Sequence, residues 1–374
     1  MAISDAADAR RVRSEMKKSM RRKPLFALVL FVHCSSGLKP SVLCIGECLF
    51  DGLPAGIFLG GAPLNAAVHL QQRGVNAAFA SAVGSDRLGR EAARRLRSRD
   101  VDVSLLKVVD ETETGFVEVD IDEKGDASYT FNDPAAWDFC SPAGIAEAAA
   151  QADAVVYGTL GQRAQMTRAA IRAASDASSY AVCDINLRPP YDGAEMVAAA
   201  VDGVDLLKLN DEELLPVAES LRSTAQGDDG KRWRADAACA AASDAEAART
   251  AVSVAAAAAA IGRASSASTV VVTRGAEGAV LWDEASPDEA WSCDGFAPPG
   301  AAVVDSVGAG DGFLAAFLAS KLQGGSAAES LEAGCRVGAY VAGQSGATPR
   351  LDDLQIAALA ANAQPAVGRV RLTA

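Results

Sequence analysis

An aspartate at position 311 follows the turn Gly308-Ala309-Gly310 and precedes the apolar run Phe313-Leu314-Ala315-Ala316-Phe317-Leu318. Small residues let a backbone turn sharply and approach a ligand closely. The free amides of a helix's first turn point outward there, and the helix macrodipole favours an anion. A carboxylate inside an anion site is no phosphate ligand; it reads as a base aimed at the proton of a nucleophile. The same residue also reads as an ordinary helix cap, and taken alone the stretch leaves both open. At such a helix end the dipole is expected to hold the carboxylate's pKa low. A Walker A loop is excluded, because Asp311-Gly312 stand where Lys-Ser or Lys-Thr is required. A dinucleotide fingerprint is excluded because Phe313 replaces its last glycine.

Other polar residues fall where strands end. Asp51 follows Val42-Leu43-Cys44-Ile45 and Cys48-Leu49-Phe50, which reads as one continuing strand. Gly60-Gly61-Ala62-Pro63-Leu64-Asn65 opens a helix to about Gln72, with proline in its first turn and Gly74 past its end. Asn65 would face back toward the Gly-Gly turn, or be one polar residue on a packed helix. Apolar runs at 77–83, 154–157, 181–184, 206–209 and 269–273 alternate with helical stretches, including one near 163–175. Their ends carry Asp184 with Asn186 and Arg188, Asn210 with Glu213, and Thr273 with Gly275. Such alternation predicts an α/β fold, a doubly wound and mostly parallel sheet flanked by helices, with one crevice at the strands' carboxyl ends.

Two segments break the pattern. Over 104–131, Val117, Val119 and Ile121 alternate with Glu118, Asp120 and Asp122, which predicts an antiparallel hairpin with one wet face, an edge hairpin or a lid. Over 222–268, a Gly-Asp-Asp-Gly loop and the alanine tract 255–260 read as a loop plus a surface helix with little to pack.

Half of the 374 residues are apolar, enough for a sizeable core, and the net charge of −13 argues against general nucleic-acid binding. Eight cysteines form no Cys-x-x-Cys pair and read as small buried hydrophobes. With His33 and His69 the whole histidine complement, a Ser-His-Asp hydrolase or a histidine-rich metal site is disfavoured. Residues 1–40 differ in composition, with nine Lys or Arg against three acids. Their order, basic and then apolar and then small, reads as a targeting segment or a disordered extension, and the apolar part is too short to span a bilayer. Cytoplasm and an organelle such as the plastid stroma both stay open as the location.

The pairing of Gly60-Gly61-Ala62-Pro63-Leu64-Asn65 early with Asp305-Ser306-Val307-Gly308-Ala309-Gly310-Asp311 late resembles the PfkB (ribokinase-like) carbohydrate kinases. Gly46-Glu47-Cys48-Leu49-Phe50-Asp51, Ala136-Trp137-Asp138 and Asn186-Leu187-Arg188-Pro189-Pro190 resemble the fructokinase-type branch. The likeness runs over about 42–350, which implies one kinase domain over 41–374 after the 1–40 extension. It implies transfer of the ATP γ-phosphoryl group to a sugar hydroxyl, with a small antiparallel β lid over the sugar.

By that resemblance Asp311 is the catalytic base, and the amides of Gly308, Ala309 and Gly310 form the anion hole. Asp51, Gly60, Gly61, Asn65 and Arg188 match sugar-side positions. Asn210, Thr273, Gly275, Gly278 and Gly346, with Ala347, match the nucleotide side. Asn210 and Glu213 match the Asn-x-x-Glu that helps hold Mg2+ through water, which suits magnesium's reluctance to dehydrate. Asp305 resembles part of a K+ site. Ala62 stands where ribokinases proper carry lysine, which points toward fructose as the sugar. Ribose or a sugar acid such as 2-keto-3-deoxygluconate are the alternatives, as is a non-catalytic fructokinase-like plastid partner protein. The resemblance also implies a homodimer built through the lid.

Overall fold

The computed structural model describes residues 39–53, 56–121, 127–225, 227–296, 303–362 and 366–372. The extension expected over 1–40 lies outside them save for its last two residues. In chain order the strands and helices are β1 (Ser41–Ile45), β2 (Leu49–Leu53), β3 (Gly56–Gly60), α1 (Ala62–Gln72), β4 (Asn76–Gly84), α2 (Arg87–Arg97), β5 (Leu106–Val109), β6 (Gly115–Ile121) and β7 (Ala127–Phe131). Then come α3 (Ile145–Gln151), β8 (Ala154–Gly158), α4 (Gln165–Ala177), β9 (Ala181–Asp184), α5 (Ala194–Val201), β10 (Leu206–Asn210), α6 (Leu214–Thr224), α7 (Asp229–Ala248) and α8 (Ala251–Ser265). The chain closes with β11 (Thr269–Thr273), β12 (Ala279–Asp283), β13 (Glu289–Cys293), α9 (Ala309–Leu322), α10 (Ala327–Ala342), α11 (Asp353–Asn362) and β14 (Val367–Arg371).

Among the described residues the main sheet runs β14-β13-β12-β11-β10-β9-β8-β1-β4-β5. From β11 to β5 the pairs are parallel, and β12, β13 and β14 add an antiparallel edge. The parallel strands read as unbroken apolar runs because both faces are covered by helices. One face is packed by α3 to α8 and the other by α1, α2, α9, α10 and α11. The expected doubly wound α/β architecture is therefore present.

Three local expectations fail. Cys48–Asp51 does not continue β1: the chain bends after Ile45, and β2 leaves for a second sheet ordered β3-β2-β6-β7. Asp51 consequently stands in the lid, paired with Phe58 and Val117, and not at the end of a main strand. The lid is not the whole of 104–131 either. β5 pairs in parallel with β4 in the main sheet, and the lid takes β2 and β3 from much earlier in the chain. Its base rests on a small separate cluster of Leu49, Val117, Ala135, Trp137 and Leu160.

The 222–268 segment is the third correction. Asp228 caps α7 by accepting the Lys231 amide at 2.9 Å, and α8 is almost wholly buried, from Val254 to Ile261. Alanines are what let α8 lie this close to the sheet. At Gly262 an added Cβ would sit 2.2 Å from the Trp282 ring of β12. Low side-chain bulk here is a means of close packing, not a sign of having nothing to pack.

Candidate active site

α9 begins at Gly308, whose φ of 79° lies in the left-handed region that glycine tolerates. The helix that follows is apolar on all sides and buried nearly throughout, so Asp311 is carried into the interior. Its carboxylate accepts Nδ2 of Asn65 at 2.8 Å. Asn65 is held there by α1, which starts at Gly61 with proline in its first turn. Gly61 supplies no side-chain cap. The buried carboxylate of Glu47 takes that part, accepting the Ala62 amide at 2.9 Å. Gly61 cannot be larger, since a Cβ would meet the Glu47 carbonyl oxygen at 2.4 Å.

Beneath the turn lies a buried ion pair. Nζ of Lys208 in β10 donates to both oxygens of Asp184 in the neighbouring β9, at 2.9 and 3.0 Å. The two residues are register partners in the parallel ladder, so the sheet sets their spacing. A Cβ on Gly310 would come 2.9 Å from Lys208 Nζ, which puts the ammonium against Gly310. Burial works against the charge on Lys208, but the carboxylates of Asp184, Glu213 and Asp311 outweigh it and hold its pKa above the ordinary value. Burial pushes the Asp184 pKa upward, with Lys208 and then Arg188 opposing it.

Asp311 itself is corrected from the sequence expectation. Its pKa is raised to about 7, by burial first and then by Asp184, with Lys208, Asn65 and Arg188 opposing. Desolvation outweighs the helix dipole because the carboxylate sits inside the protein, where charge is costly. Asp51 is likewise raised, to about 6, by burial. A Cβ on Gly60 would lie 2.6 Å from the Asp51 carboxylate, so Gly60 keeps that side open. Arg188 is exposed and donates to the neighbouring Leu187 carbonyl, yet its charge acts on Glu47, Asp51, Asp184 and Asp311 alike.

Glu213 is buried at the start of α6. Its two carboxylate oxygens accept the Leu187 amide at 2.7 Å and the Asn210 amide at 2.9 Å, while Asn210 Oδ1 accepts the Glu213 amide. Both oxygens are thus engaged with one lone pair to spare each, which suits an outer-sphere contact to a hydrated cation. Asn210 pairs with Thr273 across β10 and β11. Gly275 and Gly278 continue from there into a turn, and a Cβ on Gly278 would run into the backbone of residues 293–295. On the opposite wall Asp305 accepts the amides of Val307 and Gly346, and a Cβ on Gly346 would stand 3.8 Å from Phe58 of the lid. Among the described residues no cluster of three or more His, Cys, Asp or Glu has metal-binding geometry.

Asp311, Asn65, Gly310 and Glu213 are therefore brought together around Asp184 and Lys208. The sequence reading passed over Lys208, although a lysine inside the run Leu206-Leu207-Lys208-Leu209 of a buried strand demands an anionic partner. Ala136-Trp137-Asp138 lies elsewhere. Asp138 binds Arg163 through two hydrogen bonds, and that guanidinium stacks 3.9 Å from the centre of the Trp137 ring and 4.8 Å from that of Tyr191. A hollow of about 630 Å³ beside this pair, also lined by Phe139 and Met166, contains none of the residues around Asp311.

A sequence profile described as pfkB family carbohydrate kinase matches residues 56–354. The fructokinase of Salmonella typhimurium is 37% identical over 99 residues, which cover 25% of this chain and 32% of that protein. The fructokinase of Klebsiella pneumoniae is 29% identical over 198 residues, covering 49% of this chain and 64% of that protein. The chain thus matches between just under a third and just under two thirds of these relatives' length. A fructokinase double mutant from Vibrio cholerae O395, solved with fructose, ADP and potassium, superposes with a TM-score of 0.65 at 23% identity, over 86% of this chain and 98% of that one. That structural likeness supports the ribokinase-like fold. Because the profile runs through the Gly60–Asn65 helix start and the Gly308–Asp311 turn in a single span, the chain belongs to the pfkB family of carbohydrate kinases.

Proposed function

We propose that the protein transfers the γ-phosphoryl group of ATP to a hydroxyl of a sugar, with D-fructose, giving fructose 6-phosphate, as the favoured acceptor. The observation that carries this reading is the buried Asp311, held by Asn65 at the mouth of a glycine-framed helix N-terminus and raised to about 7. A carboxylate with that pKa is ionised for much of the time near neutral pH, yet basic enough to take a hydroxyl proton, which is the match general-base catalysis needs. Phosphoryl transfer passes through a loose transition state and gains most from positioning and charge stabilisation. The amides of Gly308, Ala309 and Gly310, with the Lys208 ammonium against Gly310, would meet the growing negative charge on the phosphate oxygens.

Asp51, Gly60, Gly61 and Arg188 are assigned to the sugar, and Asn210, Thr273, Gly275, Gly278 and Gly346 to the nucleotide. Mg2+ would neutralise phosphate charge, reached by Glu213 and Asn210 through water, and Asp305 is assigned to a K+ ion. Self-association through the lid belongs to the same reading, as does a location in the cytoplasm or the plastid stroma. Among the described residues no helix is long and apolar enough to cross a membrane. Fructose is preferred over ribose or a sugar acid because Ala62 removes a lysine from the sugar side and both curated relatives described above are named fructokinases. A coupled assay with ATP, Mg2+ and a sugar panel tests this: the highest kcat/KM is expected on fructose. Well-folded protein that turns over no sugar would sink the kinase reading and leave the non-catalytic partner role.

A further inference from the structure

Three side chains of α1 place polar atoms on one line. Asn65 donates to Asp311; His69 Nε2 meets the Ala347 carbonyl at 2.9 Å; Gln72 donates to the Pro349 carbonyl and accepts the Leu351 amide. Their spacing of four and then three residues is a single stripe of an α-helix, so one face reads from the base to the 347–351 segment. His69 is fully buried. A carbonyl can only accept, so Nε2 carries the hydrogen and Nδ1 is left an acceptor, which has no partner among the described residues. Burial first, with Arg99 adding to it, pushes the ring's pKa down to about 4 against the opposing Ala347 bond, which keeps it neutral. Leaving a buried ring nitrogen bare is costly, and a leucine would pack on this helix without that cost. What the imidazole uniquely supplies is its grip on Ala347.

Ala347 in turn lies against the phosphate turn. A Cβ on Gly308 would stand 2.4 Å from the same carbonyl oxygen that His69 holds and 2.6 Å from the Ala347 Cα. On the next turn of α9, a Cβ on Gly312 would come 3.6 Å from His69 Nε2. We propose that His69 is a positioning residue: by fixing the Ala347 backbone it fixes Gly308 and the amides that receive the nucleotide's phosphates. The inference rests on the kinase reading above. It separates two jobs on one helix, since the Asn65 bond goes to the base and the His69 bond goes to the wall of the nucleotide site.

The test compares His69→Leu, which keeps apolar volume and removes the donor, with His69→Gln, which keeps an amide donor. Calorimetric titration with a non-hydrolysable ATP analogue and Mg2+ should show the leucine variant weakened about tenfold or more, as expected when a buried carbonyl loses its donor. The glutamine variant should recover most of that loss, and affinity for the sugar should change less than about twofold in both, because the Asn65–Asp311 contact is untouched. Nucleotide binding unchanged in a leucine variant of lowered Tm would make His69 a core residue only and overturn the proposal. Wild-type protein that binds no nucleotide would overturn the kinase reading, and this inference with it. Should the leucine variant not fold, the wild-type ring answers by itself. With two histidines in the chain, its Nε2–H resonance is readily assigned by NMR. That signal should shift on saturation with the nucleotide analogue, and an unmoved signal would refute the coupling.

Discussion

At the scale of single residues the site is a contest between burial and charge. Asp311→Asn removes the proposed base, and kcat should fall by about 10² to 10⁴ while ATP affinity is largely kept; stopped assays and calorimetry measure both. In the wild type, kcat/KM should fall as pH drops below about 7, because protonation of Asp311 silences it. The stability effect has the opposite sense. A carboxylate whose folded pKa is raised adds stability below its unfolded pKa near 4, and that contribution is lost as pH rises through about 7. The Asp311→Asn variant escapes that loss, so its Tm should exceed the wild type's by about 2 °C or more at pH 8 and by much less at pH 5. Lys208→Met leaves the Asp184 carboxyl without its partner in the core and should cost about 3–5 kcal/mol in denaturant unfolding. Adding Asp184→Leu should recover most of that stability and none of the activity. The sequence announced Asp311 and Asn65 through their glycine-rich settings. It did not announce the Asp184–Lys208 pair, because 24 residues separate the partners and only the β9–β10 register joins them. The raised pKa was equally hidden, since a helix N-terminus is visible in sequence and the depth of its burial is not.

Among the elements, the buried parallel strands were legible because continuous apolar runs bounded by polar ends have few other readings. The lid was half legible. The alternation at 117–121 marks β6, but β2 looked like the tail of β1, and strand order is a property of pairing and not of composition. α8 was misjudged for the opposite reason: alanine declares helix without declaring a face. Its packing makes a sharp test. Gly262→Ala improves helix propensity by about 1 kcal/mol, yet its methyl group would press into the Trp282 ring. Overpacking costs about 1–3 kcal/mol. Calorimetry should therefore show a lower Tm, and a raised Tm would mean that the ring yields freely. Asp138 and Arg163 show the limit of motif reading, for Ala-Trp-Asp, singled out as a resemblance, is a structural anchor at Arg163 and not a residue beside Asp311.

For the whole molecule, the main sheet and its two helical layers form a platform, and the lid is a second sheet set on it through Phe50, Leu59 and Phe116. If protomers associate through their lids, Ile57, half exposed on β3, lies on the contact face. Ile57→Asp should then shift the mass measured by light scattering from dimer to monomer; a wild type that is monomeric at assay concentration would remove the lid from that role. The lid's construction has a further consequence. β2 and β6 pair side by side although they lie far apart in the chain; Leu49 and Val117 sit in a small cluster of their own, while Phe50, Leu59 and Phe116 reach the main core. Such a unit must close a long loop before those contacts form, so its amide hydrogens should exchange with solvent sooner than those of β1, β8 and β9, through an opening that leaves the rest folded. Asp51, the carboxylate proposed for the sugar, would swing out with it while Asp311, on α9, stays in place.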